Sequence, residues 1–364
     1  MKYPICLRLL LAAALVALGG CSTLGYYGQA INGELKILGE RQPIKAVVGN
    51  TATSAGVRRK LELVLAARSY ASAELGLPQG ESYRSYVALD RAYPVWVVYA
   101  APAFSLAPVD WCFPFAGCVP YRGYFHEQAA DVFAAGLAKR GDDVFVTGAP
   151  AYSTLGWFAD PVYSSMLPWS DAELAGTIFH EMAHQKLYVK NDSAFNESFA
   201  DTVEDIGIER FFATHDPKAL TAWRNERQAE RAAGVFVEET RTRLAAVYAS
   251  HMSDAEKRSE KAAVFRWLTE RYREVGTRFG IRYSSEWLAK LNNASLAAMN
   301  TYDRWIPAFR HLLQCEDGNL PDFYRAAARI SALPAKTREA RLQTLTVLKD
   351  DKSNGTAVCA TNRT

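Results

Sequence analysis

Histidine, cysteine and methionine are scarce in this chain, with 6, 6 and 5 copies among 364 residues. Excess charge is scarce too: 42 basic against 39 acidic side chains leave a formal +3. A general nucleic-acid binder needs a basic surplus to meet phosphates, so that partner class is excluded. No two cysteines stand in a CxxC spacing, which argues against a cysteine-built zinc site. Internal repeats are absent, which excludes solenoid architectures. Beyond residue 20 no apolar run is long enough to span a bilayer. What remains is an ordinary globular composition, 49% hydrophobic and 22% charged, in a chain long enough for a sizeable core.

The first twenty residues, MKYPICLRLLLAAALVALGG, read as an export signal peptide. Lys2 and Arg8 supply a basic start, and Leu9 to Leu18 form an apolar run of signal-peptide length. The run ends in Leu18-Gly19-Gly20-Cys21, followed by Ser22. Small residues before a cysteine resemble the lipobox of bacterial lipoproteins, in which the cysteine is lipidated and becomes the mature N-terminus. The resemblance implies lipidation at Cys21 and a protein held to the membrane of the bacterial cell envelope by its N-terminal lipid, anchored and not embedded. Ser22 in place of Asp resembles the outer-membrane sorting default, which implies a location facing the periplasm. The competing reading is ordinary secretion with an incidental Cys21.

An exported chain meets oxidising conditions. Setting Cys6 and Cys21 aside leaves Cys112, Cys118, Cys315 and Cys359, an even set that suggests two disulfides. Cys112–Cys118 with Cys315–Cys359 is the simplest of the three pairings, the first closing the loop CFPFAGC.

Apolar spacing predicts helices over Tyr26–Ile44 and Arg58–Leu77, the second ended by Gly76 and Pro78. Aromatic and β-branched runs predict strands at Tyr93–Pro102, Val119–Phe125 and Asp143–Pro150, with a helix over Glu127–Gly141 between the last two. Tyr152–Trp169 reads as an ordered loop with room for a further strand at its start. Ser170-Asp171-Ala172-Glu173 has the S-x-x-E form of a capping box and predicts a helix from Asp171 through Leu187. From Phe195 onward the chain reads as almost wholly helical, with a highly charged helix pair between Pro217 and Phe279. The expected regions are the signal peptide (1–20), N-terminal helices with a mixed sheet (21–169), and catalytic helices leading into a helical C-terminal region (170–364). The last two regions are expected to form one compact unit. The fold class is α+β: a small mixed sheet packed on the helix that starts at Asp171, then a mostly helical second half.

Two of the few histidines stand four apart in HEMAHQKLYVKNDSAFNESFAD, which runs from His180 to Asp201. On a helix, residues four apart share a face, offset by about 40° and about 6 Å along the axis, so His180 and His184 can hold one ion. Glu181 projects about 100° away from His180, within reach of a water on that ion but outside the ligand set. The flanking Ile178, Phe179, Met182, Ala183 and Leu187 leave almost no polar face, and two buried imidazoles need partners. Glu197 and Asp201, again four apart, can supply them. A catalytic two-histidine site needs a third protein ligand and one open position. Glu197 can be that ligand, while Asp201 accepts the free N–H of a histidine and fixes its orientation. The alternative for the acid pair is a solvated helix face.

HEMAH followed by NESFAD resembles the thermolysin-like gluzincins, in which HExxH is followed on the next helix by an N-E-x-x-x-D segment. The resemblance implies a zincin-like fold, one Zn²⁺ held by His180, His184 and Glu197, Glu181 as general base, and Asp201 buttressing the first histidine. Only twelve residues separate His184 from Glu197, fewer than in thermolysin or the large zinc aminopeptidases, so the turn must be short, with Asn191-Asp192-Ser193 as the bend. Together with the lipobox, VDWCFPFAGCVPYRGYF, AYSTLGWFADP and LNNASLAAMNTY resemble a bacterial family of zinc aminopeptidase lipoproteins. That resemblance covers nearly the whole mature chain.

Supporting roles are assigned to single residues. An oxyanion formed during hydrolysis needs a donor; Tyr302 is the first choice and Tyr163 the second. Asp160 is a candidate to hold the free α-ammonium of a peptide, since the GxMEN element of large zinc aminopeptidases is absent. Tyr152–Trp157, with Gly156, could form an edge strand that pairs with an extended substrate. Asn292 and Asn293 suit capping better than substrate contact, and His126, His215, His251 and His311 lack ligand spacing. The function expected is a zinc-dependent peptidase, an aminopeptidase by resemblance, using zinc-activated water and Glu181 on a peptide substrate. The alternatives are a zinc endopeptidase, or a non-catalytic zinc-binding envelope lipoprotein that binds peptides or partner proteins.

Overall fold

The computed structural model describes residues 25–113, 117–151, 159–299 and 303–347. Cys21, Tyr302, Cys359 and the stretch Tyr152–Trp157 lie outside the described residues. Helix α1 covers 25–40, and the helix expected through Ile44 is interrupted at Pro43. Proline has no N–H to give to a helix and leaves its predecessor extended. Gln42–Pro43 is a two-residue strand, β1, and Pro43 stands directly before the short helix α2, Ile44–Gly49. Helix α3 runs over Ala55–Ala73, starting where Ser54 Oγ accepts from the Val57 N–H and ending ahead of Gly76, whose φ is +65°. The strands that follow are β2 (Ser85–Val87), β3 (Val95–Pro102), β4 (Trp111–Phe113), β5 (Gly117–Val119) and β6 (Tyr121–Tyr124). Pro120 divides the run read as one strand into β5 and β6. Helix α4 (Glu127–Ala138), β7 (Asp142–Ala149) and β8 (Val162–Tyr163) complete the first half.

The expected single mixed sheet is two three-stranded sheets and a hairpin. In the first sheet β2 pairs antiparallel with β1 and parallel with β8. In the second, β3 is central and antiparallel to both β6 and β7. The hairpin β4–β5 places Cys112 opposite Cys118, and the two form a disulfide. Cys315 is disulfide-bonded as well.

The second half is α5 (Asp171–Lys186), α6 (Ser193–His215), α7 (Pro217–Ala249), α8 (Asp254–Phe279), α9 (Ser285–Ala289), α10 (Asn293–Ala298), α11 (Ile306–Cys315), α12 (Leu320–Ser331) and α13 (Ala335–Val347). The chain is thus a mixed α+β protein with a mostly helical second half. Among the described residues no helix is long and apolar enough to cross a membrane.

One apolar core runs from Ile37 on α1 to Leu345 on α13 and includes α3, α5, α6, α11 and α12. Central strand β3 is buried on both sides: Val95 and Val97 join this core, while Val98 and Ala100 pack with Ala130, Ala134 and Leu137 of α4. Helix α5 packs chiefly on α3 and α6, and shares its core with Tyr86, Val87, Val162 and Tyr163 of the mixed β1–β2–β8 sheet. The reason is its composition. Leu174, Ala175, Ile178, Phe179, Met182 and Ala183 are all buried and surround more than one face, which suits a helix among helices better than one lying on a sheet.

Candidate metal centre

The site is built on α5 and α6, and local chemistry fixes both ends of the pair. Ser170 Oγ accepts from the Glu173 N–H at 3.1 Å and starts α5. Asp171, in the first turn, is held by Arg59 at 2.6 Å and Lys60 at 2.7 Å, tying the helix start to α3. Burial alone would raise the Asp171 carboxyl; the hydrogen bonds from Arg59 and Lys60 outweigh it and hold the group below its ordinary range. The connection to α6 is short and closed. Asn191 bends the chain at φ +62°, and Asp192 Oδ1 accepts from the Phe195 N–H to cap α6. Asn196, the first residue of NESFAD, is buried and exchanges two hydrogen bonds with the backbone of Val189, at 2.7 and 2.8 Å.

Two glycines allow the helices to approach. A Cβ on Gly207 would lie 2.4 Å from the Phe179 ring, and one on Gly176 would lie 2.6 Å from Ile208 and 2.9 Å from Glu204 Oε1. Real side chains never approach so closely, so neither position accepts even alanine without movement.

This approach brings His180, His184 and Glu197 to one point. The two Nε2 atoms are 3.1 Å apart, and Glu197 Oε2 is 3.3 Å from His180 Nε2 and 3.6 Å from His184 Nε2. Tetrahedral ligands at bond lengths of about 2.0–2.1 Å stand roughly 3.3 Å from one another, so the three atoms are spaced as ligands of one ion and meet that requirement. Asp201 Oδ1 lies 3.0 Å from His180 Nδ1, on the far side of the ring from Glu197. Burial works against charge on His180, but Asp201, Glu197 and Glu204 outweigh it and raise its pKa well above the ordinary value. Glu197 is likewise pushed up by burial, yet hydrogen bonds from His180 and His184 bring it to about 2.

Glu181 stands apart from this group. Burial raises its carboxyl, partly offset by the charges of His180 and His184 and reinforced by those of Asp160 and Glu197. A raised carboxyl beside a metal-ready cluster, outside the ligand set, is placed to act as a proton acceptor.

Sequence reasoning missed Glu204. Its Oε2 is 3.2 Å from His180 Nδ1, the same atom that faces Asp201. Glu197, Asp201 and Glu204 stand at i, i+4 and i+7 of α6, so the spacing was there to be read. Behind Glu204 lies Arg227 of α7, at 3.5 Å from Glu204, 3.2 Å from Asp205 and 3.1 Å from Glu230; no pattern in the sequence connects it to the site.

The remaining candidates are distributed more widely. Asp160 is buried, and its charge acts on Glu181, on Glu34 and on the buried Tyr83. Tyr163 is fully buried in β8, beside Tyr83. Asn292 caps α10 and donates to Val144 O at 2.8 Å, while Asn293 donates to Pro102 O and Ala103 O; both fasten α10 to the antiparallel sheet. Tyr302 and the Tyr152–Trp157 stretch fall outside the described residues.

An α+β chain whose two facing helices present two imidazoles and a carboxylate at ligand spacing has the makings of a metal-site protein. Residues 25–342 match the model of the family described as "Putative aminopeptidase", and the chain belongs to that family. The family's name points to a peptidase. Comparison with curated proteins and with solved structures gave no match.

Proposed function

We propose that this protein is a zinc-dependent aminopeptidase of the gluzincin type, with a zincin-like helix pair at its centre, tethered to the bacterial cell envelope through a lipid on Cys21. The observation that carries the reading is the convergence of His180 Nε2, His184 Nε2 and Glu197 Oε2 within 3.6 Å of one another, with the half-buried Glu181 left out of the set. A structural zinc site closes its fourth position with protein; a catalytic one leaves it open. Zinc in this place would supply Lewis acidity, polarising a peptide carbonyl and making water acidic enough to attack at neutral pH.

The chain's own residues do the rest. Asp201 accepts the Nδ1 proton of His180, which leaves the Nε2 lone pair facing Glu197 and His184. Glu181 takes a proton from the attacking water on its carboxylate and returns it to the departing amine. Burial, by raising its pKa, moves it toward the range where both transfers are easy. Asp160, buried and electrostatically close to Glu181, supports a substrate with a free α-ammonium, and hence cleavage at the N-terminal residue.

Glu181→Gln tests the mechanism. Glutamine keeps the size of glutamate but cannot take the proton, so zinc content and fold should persist while peptide hydrolysis falls by at least about 10²–10⁴-fold. A variant that binds zinc and cleaves as fast as wild type ends this reading. Free and N-blocked peptides assayed side by side separate an aminopeptidase from an endopeptidase. Cys21→Ala should release the protein from the membrane fraction; a wild-type Cys21 found unmodified by mass spectrometry removes the anchor.

A further inference from the structure

The two histidines are supported very unequally. His184 Nδ1 is buried with no hydrogen-bond partner among the described residues. His180 Nδ1 faces two carboxylates, Asp201 Oδ1 at 3.0 Å and Glu204 Oε2 at 3.2 Å. A neutral imidazole whose Nε2 lone pair is kept for a metal carries a single proton, on Nδ1. That N–H can serve one acceptor well. The second carboxylate is therefore surplus at any instant, and a surplus half-buried negative charge needs a reason and a counterion.

The counterion is present. Arg227 reaches across from α7 to Glu204 Oε1 at 3.5 Å, so the Glu204 carboxylate bridges the guanidinium and the imidazole with its two oxygens. Arg227 is itself held by Asp205 and Glu230, and Asp205 is held from the other side by Arg310 of α11. Glu204 thus keeps its place whether or not it accepts the histidine N–H. Gly176 adds to this, since any side chain there would press on Glu204.

We propose that Asp201 and Glu204 are interchangeable buttresses of His180, and that Arg227 is the positioning residue that keeps Glu204 ready. The inference rests on His180 being a metal ligand, as in the reading above. It assigns a role to α7, which contributes no ligand, and it makes the orientation of His180 tolerant to loss of either acid alone.

The test is zinc affinity, measured by competition with a chromophoric chelator on folded protein, for Asp201→Ala, Glu204→Ala and the double variant. Loss of an ordinary single buttress weakens a metal site by about 10–100-fold. Here each single change should cost less than about 10-fold, because the other acid accepts the N–H. The double change should cost more than about 100-fold, well beyond the product of the singles. Arg227→Met should have little effect on affinity in the wild-type background and a clear one, near 10-fold, in Asp201→Ala, with Arg227→Lys restoring most of it. A merely structural Arg227 would lower thermal stability equally in both backgrounds and leave zinc affinity of the folded protein unmoved.

Singles whose effects simply multiply in the double variant would overturn the interchange. Arg227→Met acting alike in both backgrounds would overturn the positioning role. Wild-type protein that retains no zinc would instead remove the functional reading, and this inference with it.

Discussion

Two helix pairs dominate the second half of the molecule, and they use the same residue types to opposite ends. The α5–α6 pair is short, crosses at Gly176 and Gly207, and turns its charged and imidazole groups inward onto one another. The α7–α8 pair is long, 33 and 26 residues, and turns its charges outward in ladders such as Arg243–Glu239 and Arg271–Glu274. It keeps a core of its own, in which Leu244, Val264, Phe265 and Leu268 pack with Leu288, Leu291 and Leu296. Ionisable side chains in the first pair are half-buried and constrain each other's protonation. Those of the second, Arg227 apart, are mostly solvated. What separates a candidate site from a charged surface is how many such groups meet at one point away from water. Arg227 is where the pairs connect, since it belongs to α7 and pairs with the acids of α6.

The largest expected effect lies at the meeting point. Glu197→Ala removes the carboxylate that both imidazoles share, so stoichiometric zinc should be lost or bound more than about 100-fold more weakly, beyond what loss of an outer buttress costs. Elemental analysis after dialysis reads this directly. Unchanged metal content would take Glu197 out of the set. A chelator should remove zinc from the wild type and abolish hydrolysis, and added zinc should restore it.

That site was largely legible because its determinants are local. The four-residue spacing, the cap at Ser170 and the bend at Asn191 each act within one or two helical turns, and all three stand where the residues place them. The boundary between β5 and β6 is equally local, in Pro120. The contact that Glu204 makes with His180, and Arg227 behind it, were illegible for a different reason. A third acid on one face of α6 reaches the histidine only if the helices approach closely, and that depends on two glycines 31 residues apart meeting Phe179 and Ile208. The packing of α5 chiefly against α3 and α6 has the same origin. Periodicity shows which residues are buried and leaves open what buries them.

The next effect tests that closeness. Gly207→Ala puts a methyl group where Phe179 lies at 2.4 Å and Leu75 at 3.0 Å. Both are fully buried members of the main core and have nowhere to go. Overpacking of this kind costs about 1–3 kcal/mol, which should appear in urea unfolding with an unchanged slope. If the crossing also sets ligand spacing, zinc affinity should fall in the same variant. A neutral Gly207→Ala would mean that the helices can slide apart freely, and the contrast between a tight pair and a loose one would go.

The smallest effect is expected on the outer pair, and it is the sharper test of the comparison. Glu239 and Arg243 stand one helical turn apart at 2.5 Å, with side chains 43% and 42% exposed. The order, acid before base, is the favourable one along a helix, yet such pairs contribute only about 0.3–0.5 kcal/mol. A double-mutant cycle of Glu239→Ala and Arg243→Ala should return a coupling of that size, shrinking in 1 M salt, where the screening length falls to about 3 Å. The single variants should not be equal. Arg243 also lies over the Trp267 ring of α8, 3.9 Å from its centroid, a contact the acid does not share. Arg243→Ala should therefore cost roughly 0.5–1 kcal/mol more than Glu239→Ala, and that part should survive salt, since it depends on the ring's face and on packing of the arginine stem. Should the cycle instead return a coupling above about 1.5 kcal/mol that salt does not weaken, the outer ladder would be behaving like the buried cluster, and exposure would no longer account for the difference between the two helix pairs.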